Sequence, residues 1–209
     1  MGRQAVIDAI QQVSFALDIK TVGQVVKRYD DALTNAVHDT FNGNSDAVDQ
    51  RRIHKDLLRR LAPEVFMEGM REGGLTDIDD EDMAEMNEAV ADWLATQIPH
   101  VNGFAADTQA ARGDKAAQSD ILGRVVLWVN ALRELGALGR AYAHNNQKGQ
   151  WVLGSTREHC ADCRRFARMK PHRMSWFRAR KMPRSIDLEC NGFDCRCDIV
   201  DPKTGLSLL

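Results

Sequence analysis

All five cysteines of this 209-residue chain fall within its last fifty residues. Cys160 and Cys163 form a C-x-x-C, and Cys190, Cys195 and Cys197 form a C-x4-C-x-C. The segment that carries them, residues 146 to 209, is too short to hold itself together by apolar burial alone. A zinc ion would supply the missing cross-link. It takes four tetrahedral thiolate or imidazole ligands, and a C-x-x-C turn delivers two of them from one knuckle. Cys160 and Cys163 suit that turn, and the second pair must come from Cys190, Cys195 and Cys197, so four of the five bind. Alternate residues of an extended C-x-C point to opposite sides, so Cys195 and Cys197 share an ion only if the chain bends at Arg196. Three sets stay open: Cys160, Cys163 and Cys190 with Cys195, the same three with Cys197, or the two pairs without Cys190. His159 and His172 are spares, and His159 is expected to touch a ligand or the surface rather than the ion. Two disulfides are the main alternative.

The compartment favours metal. No run of 18 apolar residues is present, so no membrane span is expected. "MGRQAVIDAIQQVSF" lacks an uninterrupted apolar core and a small-residue cleavage site, and Val6 stands where an acylation pattern requires Ser or Thr. Synthesis in a reducing cytoplasm is therefore expected, where clustered cysteines serve metals more often than disulfides.

A net charge of −2 hides an asymmetry. Residues 1 to 156 hold 16 Lys or Arg against 23 Asp or Glu (16 − 23 = −7), whereas residues 157 to 184 hold 10 against 2 (10 − 2 = +8). The belt comprises Arg164, Arg165, Arg168, Lys170, Arg173, Arg178, Arg180 and Lys181, and suits nucleic acid or an acidic protein surface. A solvated face weighs equally against it. Phe166, Trp176 and Phe177 interleave with these cations, as in single-stranded nucleic-acid binders. In so small a module, such aromatics more often form the core.

Residues 1 to 145 read as a helical docking domain, which makes the fold class mainly α with a C-terminal zinc-knuckle module of short strands at 146 to 209. Apolar spacing predicts a helix over 4–17, and a second capped by Thr21 through Val25, Val26, Tyr29, Leu33 and Val37. A loop follows at 41–46. A third helix, with Ile53, Leu57, Leu58 and Leu61, should kink or break at Pro63 and end at Gly73-Gly74. A fourth opens on "LTDIDDEDMAEM", buries Met83, Met86, Val90, Trp93 and Leu94, and stops at Pro99. Asp77, Asp79, Glu81 and Glu88 fail as a calcium loop, because Asp82 occupies the glycine position, so these acids read as helix capping. Residues 101–117 read as a long mobile connection. A last helix over 118–144 carries Leu122, Val125, Val126, Val129, Leu132 and Leu135, with Trp128 beside the stripe. Trp93 and Trp128 read as core. Gly136 and Gly139 loosen the chain before "HNNQKGQ", which reads as a linker, and "WVLG" and "CDIV" read as strands.

Catalysis is not expected. A thiolate held by zinc is not free to attack, and no general-base carboxylate sits in an H-x-E arrangement beside an open metal position. Glu158, His159 and His172 are the local candidates for a small nuclease or toxin-like activity.

The order W-x-x-G-x-T-x-x-H-C-x-D-C (Trp151, Gly154, Thr156, His159, Cys160, Asp162, Cys163) is followed by Trp176, Pro183 and L-x-C-x-G-x-x-C-x-C from Leu188 to Cys197. This resembles the C-terminal region of tailed-bacteriophage head-morphogenesis or minor head proteins, the group that includes the minor head protein of phage Mu. The resemblance covers residues 151 to 200, and many such proteins are longer. It implies a structural virion component present in few copies, bound at or near the portal vertex, and acting in head assembly or DNA packaging and delivery. Portal or capsid protein, and packaged DNA through non-specific phosphate contacts, are the implied partners, with neither membrane nor small-molecule substrate. A zinc-ribbon nucleic-acid-binding protein is the alternative.

Overall fold

The computed structural model describes residues 21–75, 77–156, 158–185, 187–190, 192 and 195–209. The helix expected over 4–17 lies outside the described residues. Four long helices come first: α1 (Val22–Asn42), α2 (Ala47–Glu72), α3 (Asp80–Ala110) and α4 (Lys115–Ala143). They are followed by β1 (Lys148–Val152), α5 (Ala161–Ala167), β2 (His172–Arg173), α6 (Met174–Arg178) and β3 (Asp198–Val200). The chain is mainly helical, as expected. None of the described helices is long and apolar enough to cross a membrane.

The chain divides into two compact units, one of residues up to Glu68 with Ile78–Leu135, the other of Gly69–Asp77 with Gly136–Leu209. In the first, Thr21 caps α1 through a reciprocal box with Gln24, and Val25, Val26, Tyr29, Leu33 and Val37 are buried as their spacing requires. Asp46 accepts from the backbone N–H groups of Val48 and Asp49, and so caps α2. Asp79 caps α3 with Asp80, Glu81 and Asp82 in the first turn, the capping role expected of these acids.

Several expectations are corrected. Pro63 does not break α2, and α3 continues through Pro99 to Ala110. A helical proline orphans the carbonyl four residues earlier. Those residues, Arg59 and Ala95, are exposed, so water can satisfy them. Residues 101–110 are helix rather than a mobile connection. Val101, Phe104, Ala105, Thr108 and Ala111 are buried at three- and four-residue intervals, a stripe hidden by the segment's small, polar composition. The true connection is residues 111–114, after which Asp114 accepts from the N–H groups of Ala116 and Ala117. Arg112 donates to the carbonyls of Thr40 and Ser45, placing a cation at the C-terminal end of α1. On α4 the buried stripe starts at Ile121 rather than Leu122, and Val126 is 54% exposed. Met83 and Trp93 are only partly buried.

One polar cluster is sealed inside the first unit. His54 is fully buried, bonded to the Tyr29 hydroxyl at 2.7 Å and edge-on to Phe104 and Trp128. Burial lowers its pKa to about 3, so it stays neutral as a core histidine.

In the second unit, Gly136 and Gly139 do not loosen the chain, because α4 runs on to Ala143. Close packing at this point depends on Gly69, since a Cβ there would collide with the Gly136 carbonyl oxygen. Glu72 and Arg140 pair beside that crossing at 2.5 Å. The expected linker is only a turn, since β1 already begins at Lys148. The sheet is antiparallel in the order β2-β1-β3, with Gly149 opposite His172 and Trp151 opposite Ile199. Trp151 stacks on Phe166 at 4.9 Å, and Phe177, Met174, Leu188 and Ile199 complete a small core that includes Cys163 and Cys197.

Phe104 tests the corrected segment. Phe104→Ala should cost about 3–5 kcal/mol, the price of a buried aromatic truncation, measured as a lower denaturant midpoint at unchanged slope. A cost below about 0.5 kcal/mol, normal for exposed positions, would restore the mobile connection.

Candidate metal centre

The first two sulfurs are placed by a short helix. Cys160 is the N-cap residue of α5, and its Sγ accepts from the Cys163 N–H at 3.4 Å. Cys163 thereby points inward, 1% exposed. Asp162, between them, ties this knuckle to the segment that brings Cys190. It accepts from Lys181 at 2.7 Å, Arg165 at 2.9 Å and the Glu189 N–H at 3.1 Å. Glu189 reciprocates, its Oε2 accepting from the Ala161 N–H at 2.5 Å. Neither acid was singled out as a site residue by its spacing, because what matters is a contact across 27 residues.

The other two sulfurs arrive just before β3. Residues 195–197 are not in a strand, so the bend required at Arg196 exists and both sulfurs turn toward Cys163. Gly154 makes that bend possible, since any Cβ there would strike the Arg196 carbonyl group. The Gly154 N–H also donates to the Cys197 sulfur.

Two triads result, and they share one member. Cys160, Cys163 and Cys190 have sulfurs within 4.8 Å of one another, and so do Cys163, Cys195 and Cys197. Zinc–thiolate bonds of about 2.3 Å in a tetrahedron put neighbouring sulfurs about 3.8 Å apart. Cys163 and Cys195 stand at 3.8 Å. All five thiols are free, and this separation is nearly twice a disulfide bond of about 2.05 Å. The cysteine groups can hold a metal ion. His159 lies at the edge, its Nδ1 3.8 Å from Cys197 Sγ and 3.0 Å from Thr156 Oγ1, which donates to the Glu158 carbonyl. His172 is elsewhere, stacked on Trp176 at 4.1 Å.

Burial holds three of these sulfurs in their protonated form. Burial pushes the Cys163 and Cys197 thiols up, and Cys190 up to about 11, with the Cys160 sulfur adding to the rise at Cys190. Cys160 alone moves down. Burial opposes that shift, but bonds from the Cys163 N–H and from the neighbouring thiols outweigh it. Raised thiols are poor nucleophiles, and metal binding at Cys163, Cys190 and Cys197 releases the protons that burial holds on them.

The basic belt divides. Arg164, Arg168, Lys170 and Arg173 are exposed, with no carboxylate at ion-pair distance among the described residues. The other four are engaged within the module. Arg165 and Lys181 pair with Asp162, Arg178 lies over Tyr142 and bonds Asn145, and Arg180 lies over Trp176 at 4.2 Å. Phe166 and Phe177 are buried in the mini-core, and Trp176 covers its edge. In comparisons with known proteins, no family model matches the chain, and neither a curated protein nor a solved structure matches it.

The thiol shifts give a signed pH dependence. A thiol whose folded pKa lies above its unfolded value stabilises the metal-free fold below the ordinary thiol range, and that stability is lost as pH rises through the folded value. Metal-free protein should therefore unfold more readily at pH 10 than at pH 7, while added zinc should remove the difference. Thermal unfolding at the two pH values checks this, and an equal loss with and without zinc would contradict it.

Proposed function

We propose that this chain is a non-catalytic assembly protein whose C-terminal module is stapled by structural zinc and presents fixed cations to an acidic partner. The observation that carries the proposal is the convergence of four other sulfurs from two distant segments on buried Cys163, with exposed Arg164 on the helix that bears Cys163 and exposed Arg168 at its C-cap. Thiolates select zinc over the hard oxygen-seeking cations. The ion's contribution is a cross-link and a charge that keeps the thiolates deprotonated. The residues around it do the positioning: Asp162 and Glu189 clamp the two segments, and Gly154 admits the turn at Arg196.

Combined with the resemblance of residues 151–200 to tailed-phage minor head proteins, this supports a role as a virion component at or near the portal vertex. The long helices of the first unit serve as its docking element, as amphipathic helices dock in grooves. Portal or capsid protein is the proposed partner, and packaged DNA is a second acidic surface within reach of the same cations through phosphate contacts without base reading. A nucleic-acid-binding zinc module is the competing function, favoured by the same four exposed cations.

The test is co-expression of the full chain with the portal and capsid proteins of a tailed phage, followed by isolation of assembled heads. The wild-type chain should sediment with them, and replacing Arg164, Arg168, Lys170 and Arg173 by Glu should release it. Retention of short DNA without any binding to heads would instead support the regulatory alternative, and substrate turnover by the isolated chain would contradict both.

A further inference from the structure

Trp176 lies within the basic belt, yet both faces of its indole are taken. His172 stacks on it at 4.1 Å with the ring planes 12° apart, and the Arg180 guanidinium lies over the ring at 4.2 Å. Two flat groups that near to one ring centre cannot share a face, so they sandwich it. Phe166 and Phe177 are buried. The aromatic surface left over is the outer face of His172. Phe177 stands 5.1 Å from Trp176 and 6.1 Å from His172, edge-on to both. It therefore lies beside the pair on the indole's side and leaves that outer face uncovered. His172 belongs to β2, an outer strand of the sheet, and is only half-buried.

We propose that the outer face of His172 receives an unpaired base of single-stranded nucleic acid, with Lys170 and Arg173 meeting the phosphates on either side. The imidazole already rests on an indole backed by a guanidinium, so a base adds one more layer to an existing stack. Lys170 and Arg173 are exposed, with no carboxylate at ion-pair distance among the described residues. Lys170 leaves the chain two residues before His172, a backbone span of at most about 7 Å. Arg173 follows His172 directly and points to the other side of the strand. A nucleic-acid strand crossing the edge of β2 thus meets one cation before the ring and another after it. Duplex DNA offers no free base face, because its bases are stacked on both sides. An acidic protein surface offers carboxylates without a ring. Stacking tolerates any base, in keeping with phosphate contacts that read no sequence.

This inference rests on the proposed role of the exposed cations in meeting an acidic partner, and the test separates the two. The full chain is titrated against a fluorescent oligothymidylate and against a duplex of equal length, with anisotropy read over a range of salt concentrations. The single strand should bind more tightly than the duplex. His172→Ala should weaken it about 5-fold or more, the lower end of what one stacked base contributes, with the salt dependence unchanged. His172→Phe keeps a flat ring and should keep the affinity. Replacing Lys170 and Arg173 together by Ala should instead flatten the salt slope by about 1 to 2. Equal affinity in His172→Ala, an equal loss in His172→Phe, or a duplex bound as tightly as the single strand would overturn the stacking site. No binding to either nucleic acid by a chain that still sediments with heads would also overturn it and leave the proposed function standing. A chain that meets neither loses both.

Discussion

The C-terminal unit is organised around one buried sulfur, that of Cys163. From its position follow the cap at Cys160, the clamp between Asp162 and Glu189, and the turn at Arg196 that Gly154 admits. A small core of Trp151, Phe166, Phe177 and Ile199 surrounds it. That core is modest for a unit with a three-stranded sheet of five, two and three residues. Apolar burial on this scale leaves little surplus over the entropy of ordering the chain. An ion tying residues 160–163 to 190–197 would reduce that deficit, because it would remove freedom from the unfolded chain and add bonds to the folded one.

The same geometry decides what the basic belt can do. Eight cations look equivalent in the sequence, yet half of them are already engaged with Asp162, Asn145, Tyr142 and Trp176. These hold the module's own loops in place. Arg164, Arg168, Lys170 and Arg173 remain in solvent, and α5, which carries the first of them, also carries the central sulfur. Partner contact and metal coordination are therefore mechanically adjacent in the proposed function.

Much of the helical architecture was legible because it depends on local chemistry. Thr21 and Asp79 cap helices where side-chain oxygens precede apolar periodicity, and the Cys160–Cys163 knuckle follows from its spacing. Tertiary burial hid the rest. Pro63 was read as a kink or break and Pro99 as a stop, but the turns around them are held by Leu61, Val65, Leu94 and Val101, which pack well enough to tolerate a lost N–H. Residues 101–110 lack large apolar side chains apart from Val101 and Phe104, so their stripe of small residues escaped a reading by hydrophobic bulk. At the site, the five cysteines were visible but their partition was not. It depends on a contact between Gly154 and Arg196, separated by some forty residues, that spacing cannot encode.

The most direct test of the account is the folded state of the C-terminal unit in the absence of metal. Hydrogen exchange on the full chain, with zinc bound and after chelation under reducing conditions, reads each unit separately. The account predicts that amides of 148–152, 161–167 and 198–200 lose protection on chelation while those of Val22–Phe41 keep theirs. Unchanged protection around Trp151 and Cys163 in the metal-free chain would contradict it.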